Sequence, residues 1–296
     1  GTCLILWIKR RRLMERISIR LNERSVLVDA GTTLQKVRRD FKSDADVVIL
    51  NGFPCAGDAV LKGGDEVVLI RRGERPGRDE LQALMMARHG PGLFEKIKCA
   101  RVGIAGCGGL GSTLAVILAR TGIGSLLLVD YDIVEPSNLN RQQFFIDQIG
   151  ELKVMALAEN LRRINPFVDI ETCELKLNRS NIPDVFRKCH VIAECFDDPH
   201  AKREMTLTVR KYLSEIPLVT VSGIAGYRPA NLIHTRRVFR NVYLVGDTET
   251  AAEPGRGLLA PRVTVAAGHQ ANIILRLLLG EGNSQEEVCD ENTRER

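Results

Sequence analysis

From residue 100 onward, short apolar runs alternate with amphipathic stretches, and this alternation restricts the possible folds more than any other feature. The runs "ARVGIAG", "SLLLVD", "VDIETC", "VIAECFD" and "PLVTVSG" read as strands, and residues 109–120, 151–165 and 199–215 read as helices between them. A last helix, "APRVTVAAGHQANIILRLLLG", carries Pro261 in its first turn and Gly280 at its stop. Strand–helix–strand units of this kind are right-handed and build a parallel sheet whose ligands bind outside the strand C-termini. The expected class is α/β, with a mainly parallel, Rossmann-like sheet.

The first quarter of the chain has a different grammar. Residues 14–70 read strand, strand, helix, strand, strand, with Thr32 or Thr33 as the helix cap and turn signals at "NG" (51–52) and "KGGD" (62–65). This order, closing on "GGDEVVLI", resembles the small ubiquitin-like β-grasp fold of sulfur carrier proteins, which places such a domain at 14–73. A working carrier of that family ends in a free Gly-Gly carboxylate, whereas this chain runs on through Arg72, Gly73 and Glu74. The resemblance therefore implies a docking, dimerising, relic or structural role for this domain. The polar stretch "RRGERPGRDE" reads as a linker, and with the helix "ELQALMMARHG" it fills 74–97.

Totals exclude several function classes. The formal charge is +5, but Lys9, Arg10, Arg11 and Arg12 account for most of it, so no basic nucleic-acid face is indicated. No apolar run approaches the roughly 20 residues that span a bilayer, and residues 1–13 read as a leader or expression remnant ahead of Met14. The eight cysteines form no Cys-x-x-Cys pair, which favours reduced thiols in a cytoplasmic protein and no zinc site. Residues 283–296 read as a polar tail.

The loop "GIAGCGGLGS" lies between the first strand of the sheet and its helix. Gly106, Gly108, Gly109 and Gly111 let backbone N–H groups approach phosphate at a helix N-terminus, and Asp130, at the end of the next strand, suits ribose hydroxyls. That much fits a dinucleotide site too. The following "VDYDIVEPSNLNRQQ" adds Asp132, Ser137, Asn138, Arg141 and Gln142, a cationic and amide cluster that suits the outer phosphates of a nucleoside triphosphate. Lys153 opens the next helix, and Asp197, followed by Asp198, ends a strand where a carboxylate suits Mg²⁺.

On the motifs "GCGGLGS", "VDYDIVEPSNLNRQQ", "IGELKV…RINP", "ECFDDP" and "GLLAPRV", residues 98–282 resemble the adenylating domain of the E1-like superfamily, in particular the ThiF family of sulfur carrier adenylyltransferases in thiamine biosynthesis. The resemblance implies ATP and Mg²⁺ as cofactors and adenylylation of a carrier's C-terminal glycine. It makes Gly109 a phosphate-loop contact, Asp130 the ribose ligand, and Asn138 and Arg141 triphosphate ligands. Lys153 stabilises charge at the α-phosphate, and Asp197 is the Mg²⁺-associated acid with Asp198 beside it. It also implies a homodimer in which an N-terminal arginine, here Arg88, reaches the neighbouring site. Its variants leave open a molybdopterin carrier or a tRNA carboxylate as substrate.

Two readings of other classes stand beside it. An NAD-dependent oxidoreductase accounts for the glycine loop and Asp130 but not for Arg141, Lys153 and Asp197. A catalytically silent scaffold lacks a reason to keep both Arg141 and Lys153. The zinc-binding Cys-x-x-Cys pairs of many relatives are missing from "RNVYLVGDTETAAEPGRG", which removes the basis for a covalent thiol step on that loop, while Cys195 and Cys107 read as buried, small apolar residues.

Overall fold

The computed structural model describes residues 15–74, 76–86, 93–253 and 257–282. The leader and tail assignments, and Arg88, lie outside the described residues. The chain divides into two compact units, residues 1–89 and 90–296.

The first unit holds β1 (Arg16–Leu21), β2 (Arg24–Asp29), α1 (Leu34–Phe41), β3 (Val47–Leu50), β4 (Phe53–Pro54), β5 (Glu66–Ile70) and α2 (Arg78–Met86). The strands lie in the order β2-β1-β5-β3-β4, with β1 and β5 parallel at the centre. Alternation along β1 and β5 sends Ile19, Leu21, Val67 and Leu69 to one face, where Leu34 and Val37 of α1 cover them. Thr33 caps α1 by accepting from Lys36 N at 3.3 Å. Asn51 and Gly52, both at positive φ, make the two-residue β3–β4 turn that the dipeptide announces. The β1–β2 turn uses Asn22 and Glu23 at positive φ instead, a pair with no glycine to mark it.

The second unit runs α3 (Leu93–Ile97), β6 (Arg101–Ala105), α4 (Gly109–Thr121), β7 (Ser125–Asp130), α5 (Lys153–Ile164), β8 (Asp169–Glu174), α6 (Ile182–Phe186), β9 (Val191–Glu194), α7 (Pro199–Tyr212), β10 (Leu218–Val221), β11 (His234–Phe239), β12 (Val242–Gly246) and α8 (Ala260–Leu279). Its sheet order is β11-β12-β10-β9-β6-β7-β8, parallel throughout except for β11. Helices cover both faces: α4, α5 and α8 pack through Leu114, Leu118, Leu157, Ala266 and Ile274, and α6 and α7 pack through Ile182, Phe186, Met205 and Val209. Chain order reverses between β6 and β9, the switch point beside which open α/β sheets bind ligands.

The stretch that corresponds to the zinc-bearing region of many relatives contains a strand: "VYLVG" is β12, parallel to β10 and inserted between it and β11. Helix α5 starts at Lys153 rather than 151, because Ile146–Gln148 forms a 3-10 turn and Glu151 N donates to Gln148 O at 3.1 Å. Among the described residues no helix is long and apolar enough to cross a membrane.

Candidate nucleotide site

Beyond the C-terminal end of β6 the chain turns at Gly106, whose φ of +93° is the left-handed conformation that glycine adopts without strain. Gly108 is the N-cap of α4 and offers no side chain to it. Within α4 the amide of Ser112 donates to Gly108 O at 2.9 Å; the amides ahead of it belong to the turn that a helix leaves without internal partners, where an anion is favoured. The third glycine is required by packing. A Cβ built on Gly111 would lie 1.8 Å from Gly106 O. Gly111→Ala is expected to cost about 1–3 kcal/mol and to abolish nucleotide binding at this loop; wild-type melting and wild-type affinity in that variant would contradict this packing.

Asp130, at the end of β7, is tied to the loop. Its Oδ2 accepts from Cys107 N at 2.6 Å and its Oδ1 from Asp132 N at 2.9 Å. Each carboxylate oxygen keeps a further lone pair for a ribose hydroxyl. Asp132 pairs with Lys153, Nζ to Oδ2 at 2.8 Å, and the two also meet through Lys153 N and Asp132 O at 2.9 Å. The lysine side chain is 9% exposed and the aspartate 49%. The ammonium is thus held beside a carboxylate that water reaches, with two N–H donors still to spend.

Arg141 and Gln142 lie against the glycines. A Cβ on Gly109 would come within 3.4 Å of Arg141 Cγ and 3.3 Å of Val263 Cγ1, and one on Gly108 within 3.9 Å of Gln142 Nε2. Arg141 Nη1 donates to Ser137 O at 3.1 Å and Asn140 Oδ1 at 2.9 Å, while its Nε and Gln142 Oε1 are buried without a partner. A guanidinium held beside a glycine loop suits phosphate oxygens, which it binds through charge-assisted hydrogen bonds.

The end of β9 closes the other side. A Cβ on Gly106 would touch Cys195 O and Phe196 Cδ1, each at 3.2 Å. Asp197 follows, exposed, and makes no hydrogen bond or ion pair among the described residues. Among those residues no group of three or more potential ligands could hold a metal. One open carboxylate fits Mg²⁺, which is commonly carried by one or two protein carboxylates together with substrate phosphates.

Three further expected contacts, Asn138, Ser137 and Asp198, also make local hydrogen bonds. Asn138 Oδ1 accepts from Glu135 N at 3.1 Å and the Ser137 hydroxyl donates to Glu135 Oε2 at 3.3 Å, so both stabilise the 3-10 turn Pro136–Asn138. Asp198 is the N-cap of α7, accepting from His200 N at 3.3 Å and Ala201 N at 2.9 Å, and these backbone bonds hold its pKa below the ordinary carboxylate value. The thiols near the loop are buried. Burial, with the Asp130 charge second, pushes the Cys107 pKa well up, and burial does the same to Cys195.

The structure also places polar residues that periodicity did not flag. Glu194, fully buried in an apolar strand, bonds Lys202 Nζ at 2.9 Å, Phe196 N at 2.7 Å and the Thr220 hydroxyl. A carboxylate interrupting the apolar run "VIAECF" was the available signal. Arg262 and Asp247 form a buried ion pair at 2.8 Å.

A parallel sheet with a glycine loop at its switch point, an acid ending the next strand and a cationic loop beside it defines a Rossmann-like fold of the nucleotide-binding kind. Residues 81–293 match the ThiF family and residues 17–73 the ThiS-like ubiquitin family. The chain belongs to the ThiF family and carries an N-terminal ThiS-like domain. Among curated proteins it is 30% identical to the adenylyltransferase and sulfurtransferase UBA4 of Saccharomyces cerevisiae, over 62% of this chain and 43% of that protein. It is 38% identical to the adenylyltransferase and sulfurtransferase MOCS3 of Bos taurus, over 44% of this chain and 28% of that protein. The chain thus spans less than half the length of these relatives. Among solved structures, E. coli tRNA N6-threonylcarbamoyladenosine dehydratase TcdA in complex with ATP superposes with a TM-score of 0.62 at 22% identity, covering 71% of this chain and 98% of that one. That likeness is one of fold.

Proposed function

We propose that this chain uses Mg·ATP to adenylylate the C-terminal glycine carboxylate of a separate ubiquitin-like sulfur carrier protein. The observation that carries this reading is the placement of Arg141 and Gln142 against Gly108 and Gly109, with the Asp132–Lys153 pair tied to the same loop through Asp130, which accepts from both Cys107 N and Asp132 N. A dinucleotide's two phosphates have little use for that cluster.

A carboxylate at a protein terminus is a poor electrophile, because its leaving group would be oxide. In the proposed step a carboxylate oxygen forms a bond to the α-phosphorus of ATP, the bond from that phosphorus to the bridging oxygen of the β-phosphate breaks, and pyrophosphate leaves with the electron pair. The substrate is the nucleophile, so the protein's contribution is alignment and charge stabilisation. Asp130 orients the ribose, Lys153 faces the α-phosphate, Arg141 grips the outer phosphates and Asp197 supplies the carboxylate for Mg²⁺. Bound Mg²⁺ neutralises charge on the phosphates.

The fused β-grasp domain is not the substrate in this account, since its last strand leads on through Arg72 and Gly73 into further chain. The relatives' names speak of adenylyl and sulfur transfer without a thiamine step, which supports the wider alternative, including carriers of the molybdopterin type, over a thiamine-only assignment. Calorimetric titration with Mg·ATP and with NAD tests the site: binding of Mg·ATP at least tenfold tighter than NAD is expected, and preference for NAD would overturn the reading.

A further inference from the structure

Three segments bear the groups assigned above to the phosphates: the glycine loop, the 137–143 loop and α5, which begins at Lys153. They are cross-linked by side chains that the nucleotide itself need not touch. Ser112, fully buried in the first turn of α4, donates its hydroxyl to Gly108 O at 2.7 Å and accepts from Gln143 N at 3.1 Å. The other side of the same peptide unit's residue is held as well: Gln143 O accepts from Asn160 Nδ2 at 3.0 Å, on α5.

Asn160 is itself fixed. Its amide and that of Gln148 face each other, Asn160 Nδ2 to Gln148 Oε1 at 2.9 Å and Gln148 Nε2 to Asn160 Oδ1 at 3.0 Å, and both side chains are buried. Gln148 Oε1 also accepts from Phe145 N at 3.1 Å. The backbone at Gln143, directly after Arg141 and Gln142, therefore has its N–H anchored to the glycine-loop helix and its C=O anchored to the lysine-bearing helix. A buried polar network with its members satisfied holds one geometry.

We propose that Ser112 and Asn160 are positioning residues that set the Arg141–Gln142 segment in register with the glycine loop, so that capture of the outer phosphates depends on them. This rests on the Mg·ATP reading above. Without the Gln143 anchors, the arginine must be ordered at the moment of binding, and part of the affinity is spent on that ordering. AMP lacks the outer phosphates and escapes this loss. A role confined to folding would weaken both nucleotides together.

Equilibrium titration of the full chain with Mg·ATP and with AMP separates the outcomes. For Ser112→Ala and for the double variant Gln148→Leu/Asn160→Leu, which removes both faces of the buried amide pair at once, Mg·ATP is expected to bind about tenfold more weakly while AMP changes by less than about twofold. Equal losses for ATP and AMP, or no loss for either, would overturn the positioning role while leaving the nucleotide site intact. Wild-type protein that fails to bind Mg·ATP at all would overturn the underlying reading with it.

Discussion

Arg141→Ala is expected to lower ATP–pyrophosphate exchange by ~10³- to 10⁵-fold, the range that a positioned arginine contributes in related phosphoryl chemistry. The side chain's aliphatic stem lies on Gly109, and Nη1 is held by Ser137 O and Asn140 Oδ1. The guanidinium is thereby pre-oriented, and the charge that develops as pyrophosphate departs meets a donor that needs no rearrangement. Arg141→Lys is expected to recover little, because an ammonium cannot reproduce the planar fork. Exchange above a tenth of the wild-type rate in Arg141→Ala, measured on protein that melts normally, would remove this residue from the chemistry.

The largest effect on stability is expected at Arg262, near the start of α8. Its guanidinium bonds Asp247 Oδ2 at 2.8 Å and Arg228 O at 2.8 Å, and the side chains of the pair are 3% and 5% exposed. Asp247 also accepts from Glu249 N at 2.9 Å and Thr250 N at 2.8 Å. Removing one partner of a buried pair strands the other, which typically costs ~3–5 kcal/mol. Arg262→Ala should show that loss in urea denaturation at pH 7.

The pair has a pH signature whose sign follows from Asp247. Burial alone would raise its pKa, but the amides of Thr250 and Glu249, the Thr250 hydroxyl and Arg262 outweigh burial and hold it below 3.8. A group with a lowered folded pKa adds stability that is present above its unfolded value and lost as pH falls through the folded one. The gap between wild type and Arg262→Ala should therefore shrink as pH is taken from 7 to below 3.8. A gap that stays constant or widens in acid would show that the pair does not carry the loss.

Local signals announced much of the fold. Thr33, Asn51-Gly52, Pro261 and Gly280 act on the backbone within a few residues of themselves, and each stands where its chemistry requires. The strands β6, β7, β8, β9 and β10 were legible because apolar runs bounded by helices have few other uses. β11 and β12 were not. β12 lies beside β10 by pairing from Leu218↔Val242 to Val221↔Val245, a contact between distant segments that its own five residues do not encode. Short α6, Ile182–Phe186, is under two turns and leaves no periodicity to detect.

The site divides along the same line. Glycines, Asp130 and the loop carrying Arg141 stand in one order along the chain and were visible. The groups that fix them were not, because Ser112 meets Gln143 across 31 residues. Ser112 and Asn160 sit among apolar helix positions, and only their partners distinguish a bonded side chain from a tolerated one.

The most direct measurement is ATP–pyrophosphate exchange by the full chain in the presence of a separate ubiquitin-like carrier ending in a free Gly-Gly carboxylate. Exchange should appear only with Mg·ATP and that carrier, and should vanish when the carrier's final glycine is deleted or its terminal carboxylate is amidated. Exchange that persists with the amidated carrier, or no exchange with any Gly-Gly carrier by protein that binds Mg·ATP, would contradict carboxylate activation by this site.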